Sequence, residues 1–219
     1  MSASIELKKF PICDTDFWIK ICKITKCDIL FTKYSKALFS DAVVFELQMK
    51  VERNKDEFSC AMKEYNIGES KGRVIRIGFN SPNYFSTKEK KVVEKMFVDN
   101  KIEFDSESNC YIEKRHLGEI VSLIYAAVLN LEILLSDDGG TSRHAAELNF
   151  PYIKIIKLRQ FFIDSGFSAK KANELCIEAN KSLDEKVLEK ELEDNFSKGI
   201  YKTKSLSTLK KALQLKGKL

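Results

Sequence analysis

Short apolar runs and amphipathic stretches alternate along this chain. Residues 10–14 read as a strand carrying Phe10, Ile12 and Cys13, and 16–26 as a helix with Phe17, Ile21 and Ile24 at helical spacing. Residues 28–34 continue as a short helix or turn. Ala37-Leu38-Phe39 reads as a second strand, after which Ser40 or Asp41 caps a helix to about Val51. Residues 53–66 have a helical pattern, and 72–78, bounded by Gly72 and Gly78, read as a third strand. Ser81-Pro82-Asn83 marks a loop, and Ser86 with Glu89 forms a capping box for a helix over 87–99. The stretch 100–115 is polar and irregular and reads as a loop. A strongly apolar helix spans about 117–130 and strand 132–136 follows it directly. Gly139-Gly140-Thr141-Ser142 turns into a helix over 142–148, and 152–156 is a last short strand. Beyond it the pattern is helical only. One helix opens at 166–168, Ser182 and Glu185 cap the next, and Leu206 to Leu215 suggests a basic final helix.

Strands that alternate with helices predict an α/β fold, three layers deep, with a mainly parallel central sheet covered on both faces. A chain of 219 residues, 44% hydrophobic, is ample for one such domain with an appendage. The six cysteines make no CxxC pair and only His116 and His144 could join them, which argues against a structural zinc site. The opening residues lack the apolar core of a signal peptide. The longest apolar stretch, 120–135, is broken by Asn130 and Glu132 and falls short of the ~18 residues that would suggest a membrane span. The expectation is a soluble cytoplasmic protein with reduced thiols and no membrane partner.

Charge changes the picture only at the end of the chain. Of the net +5, seven lysines and no acid fall within 195–219, which leaves 30 basic and 32 acidic residues before them, a balance of about −2. The globular part is therefore not a broadly nucleic-acid-coating surface.

Candidate chemistry lies in the acids. Asp14 follows the first apolar strand, and Asp137 and Asp138 follow Ile133-Leu134-Leu135-Ser136. In open α/β sheets ligands bind outside the carboxyl ends of the strands. Acids placed there from distant parts of the chain are candidates for one site, and clustered carboxylates call for a divalent cation. Glu46 lies on the helix after the second strand. Glu119 lies in the first turn of the apolar helix, on a face shared with Ser122, Leu123, Ala126 and Asn130. Each acid has an ordinary explanation alone: a helix dipole for Glu119, a solvated face for Glu46, turn chemistry for Asp137-Asp138. Their order along the chain is the signal.

That order resembles the PIN-domain nucleases, a fold shared by many ribonuclease toxins of bacterial toxin–antitoxin pairs. Ile12-Cys13-Asp14-Thr15-Asp16 is similar to the family's strand-Asp-Thr-Asn opening, with Asp16 where Asn is usual. Ser40 to Leu47 resembles the second segment, Gly118 to Leu123 the third, and Leu134-Leu135-Ser136-Asp137-Asp138 the fourth. The resemblance implies a PIN-like nuclease domain over 1–165, lengthened by an insertion at about 66–115. A helical extension with a basic tail then covers 166–219. It implies a metal-dependent nuclease acting on RNA, with DNA as a second candidate. Mg²⁺ or Mn²⁺ would be held by Asp14, Glu46, Glu119 and Asp138, with Asp137 as a further ligand. Thr15, Asp16 and Ser136 would support the ligands, and Lys20 and Lys23 would face the nucleic-acid backbone. An antitoxin-like protein partner and a homodimer are further implications. Two other readings stay open. Asp14-Thr15-Asp16 with Asp137-Asp138 also resembles haloacid-dehalogenase-type phosphatases, although Trp18 stands where Thr or Val is usual and Glu46 and Glu119 find no role. The fold could also serve as a binding or regulatory module without catalysis.

Overall fold

The computed structural model describes residues 7–105, 107–108 and 110–181. Strand β1 (Ile12–Cys13) leads to α1 (Thr15–Lys23) and α2 (Cys27–Tyr34), then β2 (Ala37–Ser40), α3 (Asp41–Arg53) and α4 (Lys55–Ser70). Next come β3 (Val74–Ile77), α5 (Thr87–Asp99), the two-residue strands β4 (Phe104–Asp105) and β5 (Cys110–Tyr111), and α6 (Leu117–Val128). The order closes with β6 (Ile133–Leu135), α7 (Thr141–Glu147), β7 (Lys154–Ile156), α8 (Leu158–Asp164) and α9 (Ala169–Asn180). Local chemistry accounts for several boundaries. The Ser40 hydroxyl caps α3 by accepting from Val43 N. Ser86 and Glu89 form the expected capping box of α5.

The fold is a three-layer α/β/α structure around a five-stranded sheet in the order β3-β2-β1-β6-β7, with every pairing parallel. Successive strand residues alternate between the two faces. Cys13, Phe39 and Leu135 pack with α1, α4 and α8, whereas Ile12, Leu38 and Leu134 pack with α5 and α6. Both faces are buried, so the strands read as continuous apolar runs rather than alternating ones. The chain steps outward from β1 through β2 to β3, and the later strands β6 and β7 lie on β1's other side. The carboxyl ends of β1 and β6 therefore flank the point where the strand order reverses.

Trp18, the chain's single tryptophan, is fully buried between α1 and α4, and its indole Nε1–H donates to Ala61 O at 2.9 Å. The stretch 100–115, expected to be a loop, contains the antiparallel hairpin β4–β5. Two-residue strands are too short to show periodicity. What orders the segment is burial of Ile102 and Tyr111 beside Phe97 and Phe104. Helix α9 buries Ala172, Leu175 and Ala179 in the cluster that holds α1 and α8. The chain divides into two units, 1–180 and 181–219. The expected capping box at Ser182 and Glu185 and the basic final helix lie outside the described residues. Among the described residues no helix is long and apolar enough to cross a membrane.

Candidate metal centre

Four acids from distant parts of the chain line one small cavity of about 160 Å³ at the β1/β6 reversal: Asp14, Glu46, Glu119 and Asp138. Thr15, Asp16, Lys50 and His116 complete its wall. This is the crevice position that the topology favours for ligands.

Asp14 is the N-cap residue of α1, yet its side chain makes no capping bond, so the carboxylate is left to the cavity. Its Oδ2 accepts from Ser136 Oγ at 3.2 Å. Ser136 is fully buried and sits 2.7 Å from Thr141 Oγ1, while its Oγ also accepts from Asp138 N at 3.3 Å. One hydroxyl thus ties the ends of β1 and β6 together. Glu46 projects from α3 and uses both oxygens: Oε2 accepts from Thr15 Oγ1 at 2.6 Å and Oε1 from Gly118 N at 2.9 Å. Gly118 permits that approach, because a Cβ there would stand 2.6 Å from Glu46 Oε2.

Glu119, in the first turn of α6, is 3% exposed. Its Oε1 lies 2.7 Å from His144 Nδ1 of α7, whereas its buried Oε2 has no hydrogen-bond partner among the described residues. Asp138 Oδ1 accepts from Gly140 N at 2.7 Å, and its Oδ2 lies 3.2 Å from His116 Nδ1. His116 precedes α6 in the left-handed conformation, φ 60°, and its Nδ1 is also 3.4 Å from Glu119 Oε2.

Electrostatics separate the carboxylates. Burial holds the Asp14 carboxyl well above the usual carboxylate range, and Asp16, Glu46 and Glu119 push it the same way. Burial also raises Glu46, against the bonds from Gly118 and Thr15. Asp138 is lowered, first by the Gly140 N–H and then by the facing His116. Crowded buried carboxylates with one orphaned oxygen fit a cation, because a buried polar atom without a partner is costly.

The remaining sequence candidates divide. Asp16 reaches the cavity mouth, where it pairs with Lys50 at 3.2 Å. Asp137 is not brought in: Lys20 Nζ donates to its Oδ2 at 2.6 Å and Leu158 N to its Oδ1 at 3.2 Å. Lys20 is thereby engaged away from the cavity, and Lys23 pairs with Glu57 beside Phe58. His116 was missed as a site residue. The available signal was its place three residues before Glu119, within reach of the same helical turn.

No protein-family model matches the chain, and no curated protein matches it. Among solved structures it aligns with a chain in the crystal structure of VapBC2 from Rickettsia felis bound to a DNA fragment from their promoter. That alignment covers 68% of this chain and 98% of the other, at 14% identity and a TM-score of 0.41.

Proposed function

We propose that this chain is a metal-dependent nuclease that hydrolyses phosphodiester bonds, with RNA as the preferred polymer. One observation carries the reading: Asp14, Glu46, Glu119 and Asp138 converge on one cavity at the strand-order reversal, with a buried oxygen of Glu119 left without a hydrogen-bond partner among the described residues. These four would hold Mg²⁺ or Mn²⁺, which when bound supplies Lewis-acid stabilisation of phosphate charge and a more acidic water. The chain's own part is positional. Ser136 fixes Asp14, Thr15 and Gly118 fix Glu46, and His144 turns one oxygen of Glu119 so that the other faces the cavity. Lys50, half-buried at the mouth beside Asp16, is placed to meet a phosphate. The phosphatase alternative gives Glu46 and Glu119 no task, although both line the cavity. RNA as substrate, an antitoxin-like partner and a homodimer follow from the resemblance to PIN-domain nucleases.

The test is cleavage of labelled single-stranded RNA and DNA with Mn²⁺, Mg²⁺ or EDTA, with wild type beside Asp14→Asn. The expected result is metal-dependent cutting of RNA that falls at least about 100-fold in the variant, in line with loss of transition-state charge stabilisation. The variant should melt no lower than wild type, since like-charge repulsion is relieved. Equal cutting by both proteins would overturn the proposal. Metal binding without cutting of either polymer would favour the phosphatase, and neither binding nor cutting would favour the non-catalytic module.

A further inference from the structure

The acids alone do not describe the cavity, because an imidazole stands among them. We infer that His116 is itself a metal ligand, and that with Glu119 and Asp138 it forms a three-residue nitrogen–oxygen site. Such a site favours borderline transition ions such as Zn²⁺ or Co²⁺ over Mg²⁺. The inference rests on the metal-binding reading above and deepens it, by adding a nitrogen ligand to the carboxylate set and ranking the ions that set would take.

Three observations support it independently. The first is geometry. His116 Nδ1 lies 3.2 Å from Asp138 Oδ2 and 3.4 Å from Glu119 Oε2, and one ligand atom from each of the three residues falls within 4.8 Å of the others. Ligands bonded at ~2.0–2.2 Å to one ion stand about 3.0–3.5 Å apart, which is the spacing found on the two measured edges. The second is the orphaned Glu119 Oε2, nearly fully buried and without a hydrogen-bond partner among the described residues. A lone hydrogen bond from His116 would satisfy one of the two facing oxygens and leave the other short, whereas a shared ion satisfies both. The third is support around the ligands. His144 Nδ1 holds the opposite oxygen of Glu119 at 2.7 Å, and Gly140 N holds the opposite oxygen of Asp138 at 2.7 Å. Each carboxylate is therefore oriented by its far oxygen and presents the near one to His116, the arrangement that outer partners give metal ligands. Imidazole nitrogen suits zinc, nickel and copper, whereas all-oxygen sets suit magnesium and manganese. One nitrogen in the set shifts the preference accordingly. Asp14 and Glu46 complete the acidic wall of the same cavity.

The experiment is metal binding, read without any substrate. Zn²⁺, Co²⁺ and Mg²⁺ are titrated by calorimetry into metal-free wild type, His116→Gly and Glu119→Gln. Glycine suits the left-handed backbone at 116, so that variant removes the ring without backbone strain. The chain has two histidines, so its imidazole nitrogen NMR signals are two sets, assigned with His144→Asn. The expected result is Zn²⁺ and Co²⁺ bound at least tenfold tighter than Mg²⁺. His116→Gly should lose about 100-fold or more in Zn²⁺ affinity, above the 10–100-fold typical of an outer-partner loss, while Mg²⁺ affinity changes little. On Zn²⁺ addition the His116 Nδ1 signal should move while that of His144 stays nearly fixed. If metal binds but the His116 signal and the His116→Gly affinity are unchanged, the inference is overturned and the all-carboxylate centre stands. If wild type binds none of the three ions, this inference falls, and a parallel titration with Mn²⁺ decides whether the metal-binding reading falls with it.

Discussion

Asp41 is the most heavily bonded acid outside the cavity among the described residues. Its Oδ1 accepts from Ala42 N, Tyr111 Oη and Tyr125 Oη at 2.9, 2.7 and 3.0 Å, and its Oδ2 accepts from Phe79 N at 2.8 Å. Even so, burial outweighs these bonds and raises its carboxyl above the ordinary value. An acid that is harder to ionise when folded takes up a proton more readily in the native state. Its contribution is most favourable below the unfolded value near ~3.9 and is lost as pH rises toward the folded one. In EDTA, the stability advantage of wild type over Asp41→Asn should therefore shrink as pH rises from about 4, then level off. A gap that widens with pH, measured by urea unfolding, would show that the bonds win over burial. Asp41→Ala should cost about 3 kcal/mol or more, since the Tyr111 and Tyr125 hydroxyls and Phe79 N–H lose their shared acceptor. At this scale the sequence was a partial guide. The shared placement of Asp14 and Asp138 was legible because each follows an apolar strand. His116 was less so, because its one mark, a place three residues before Glu119, is not a periodic signature. Nor could spacing tell Asp137, which holds Lys20 and the α8 backbone, from its neighbour in the cavity.

Among elements, the contact that places Glu46 is the packing of α6 along α3, which also brings Ser122 to Ser40 and Tyr125 to Asp41. Gly118 lets the first turn of α6 come against Glu46, with its backbone N–H bonded to that carboxylate. Gly118→Ala would push the flexible end of Glu46 aside rather than break the core. We expect a stability change within about 1 kcal/mol, below the usual cost of overpacking, and, under the nuclease reading, a loss of cleavage on the order of 100-fold from misplacement alone. An unfolding midpoint beside a rate assay separates the two effects, and unchanged cleavage would remove Glu46 from the machinery. Gly68 is different. A Cβ there would meet Val74 Cγ2 at 2.6 Å, a stiff branched side chain on β3. Gly68→Ala should cost about 1–3 kcal/mol with the cavity untouched. Helices and strands with long apolar or capped signatures were readable from the chain. The β4–β5 hairpin was not, since it is ordered by aromatic contacts with α5 rather than by any local pattern.

At the scale of the whole described unit, two apolar clusters lie on opposite faces of one sheet and share its strands. Sharing makes them interdependent, so the described unit should unfold in one step. Trp18 reports from one cluster, and far-UV circular dichroism reports from all helices. Their denaturant midpoints should coincide, and separated midpoints would mean that the two faces melt independently. The layered parallel architecture was legible because strands alternate with helices. The strand order was not, because periodicity says which residues are buried but not which strand lies beside which.

That strand order bears on how the protein is made. β1 leaves the ribosome well before its β6 neighbour: Ser136, which binds Asp14, is 122 positions further on. Until then the first carboxylate has no Glu119, no Asp138 and no closed crevice. Under the nuclease reading, a nascent chain is inert beside ribosomal RNA until β6 and Asp138 have emerged and β6 has paired with β1.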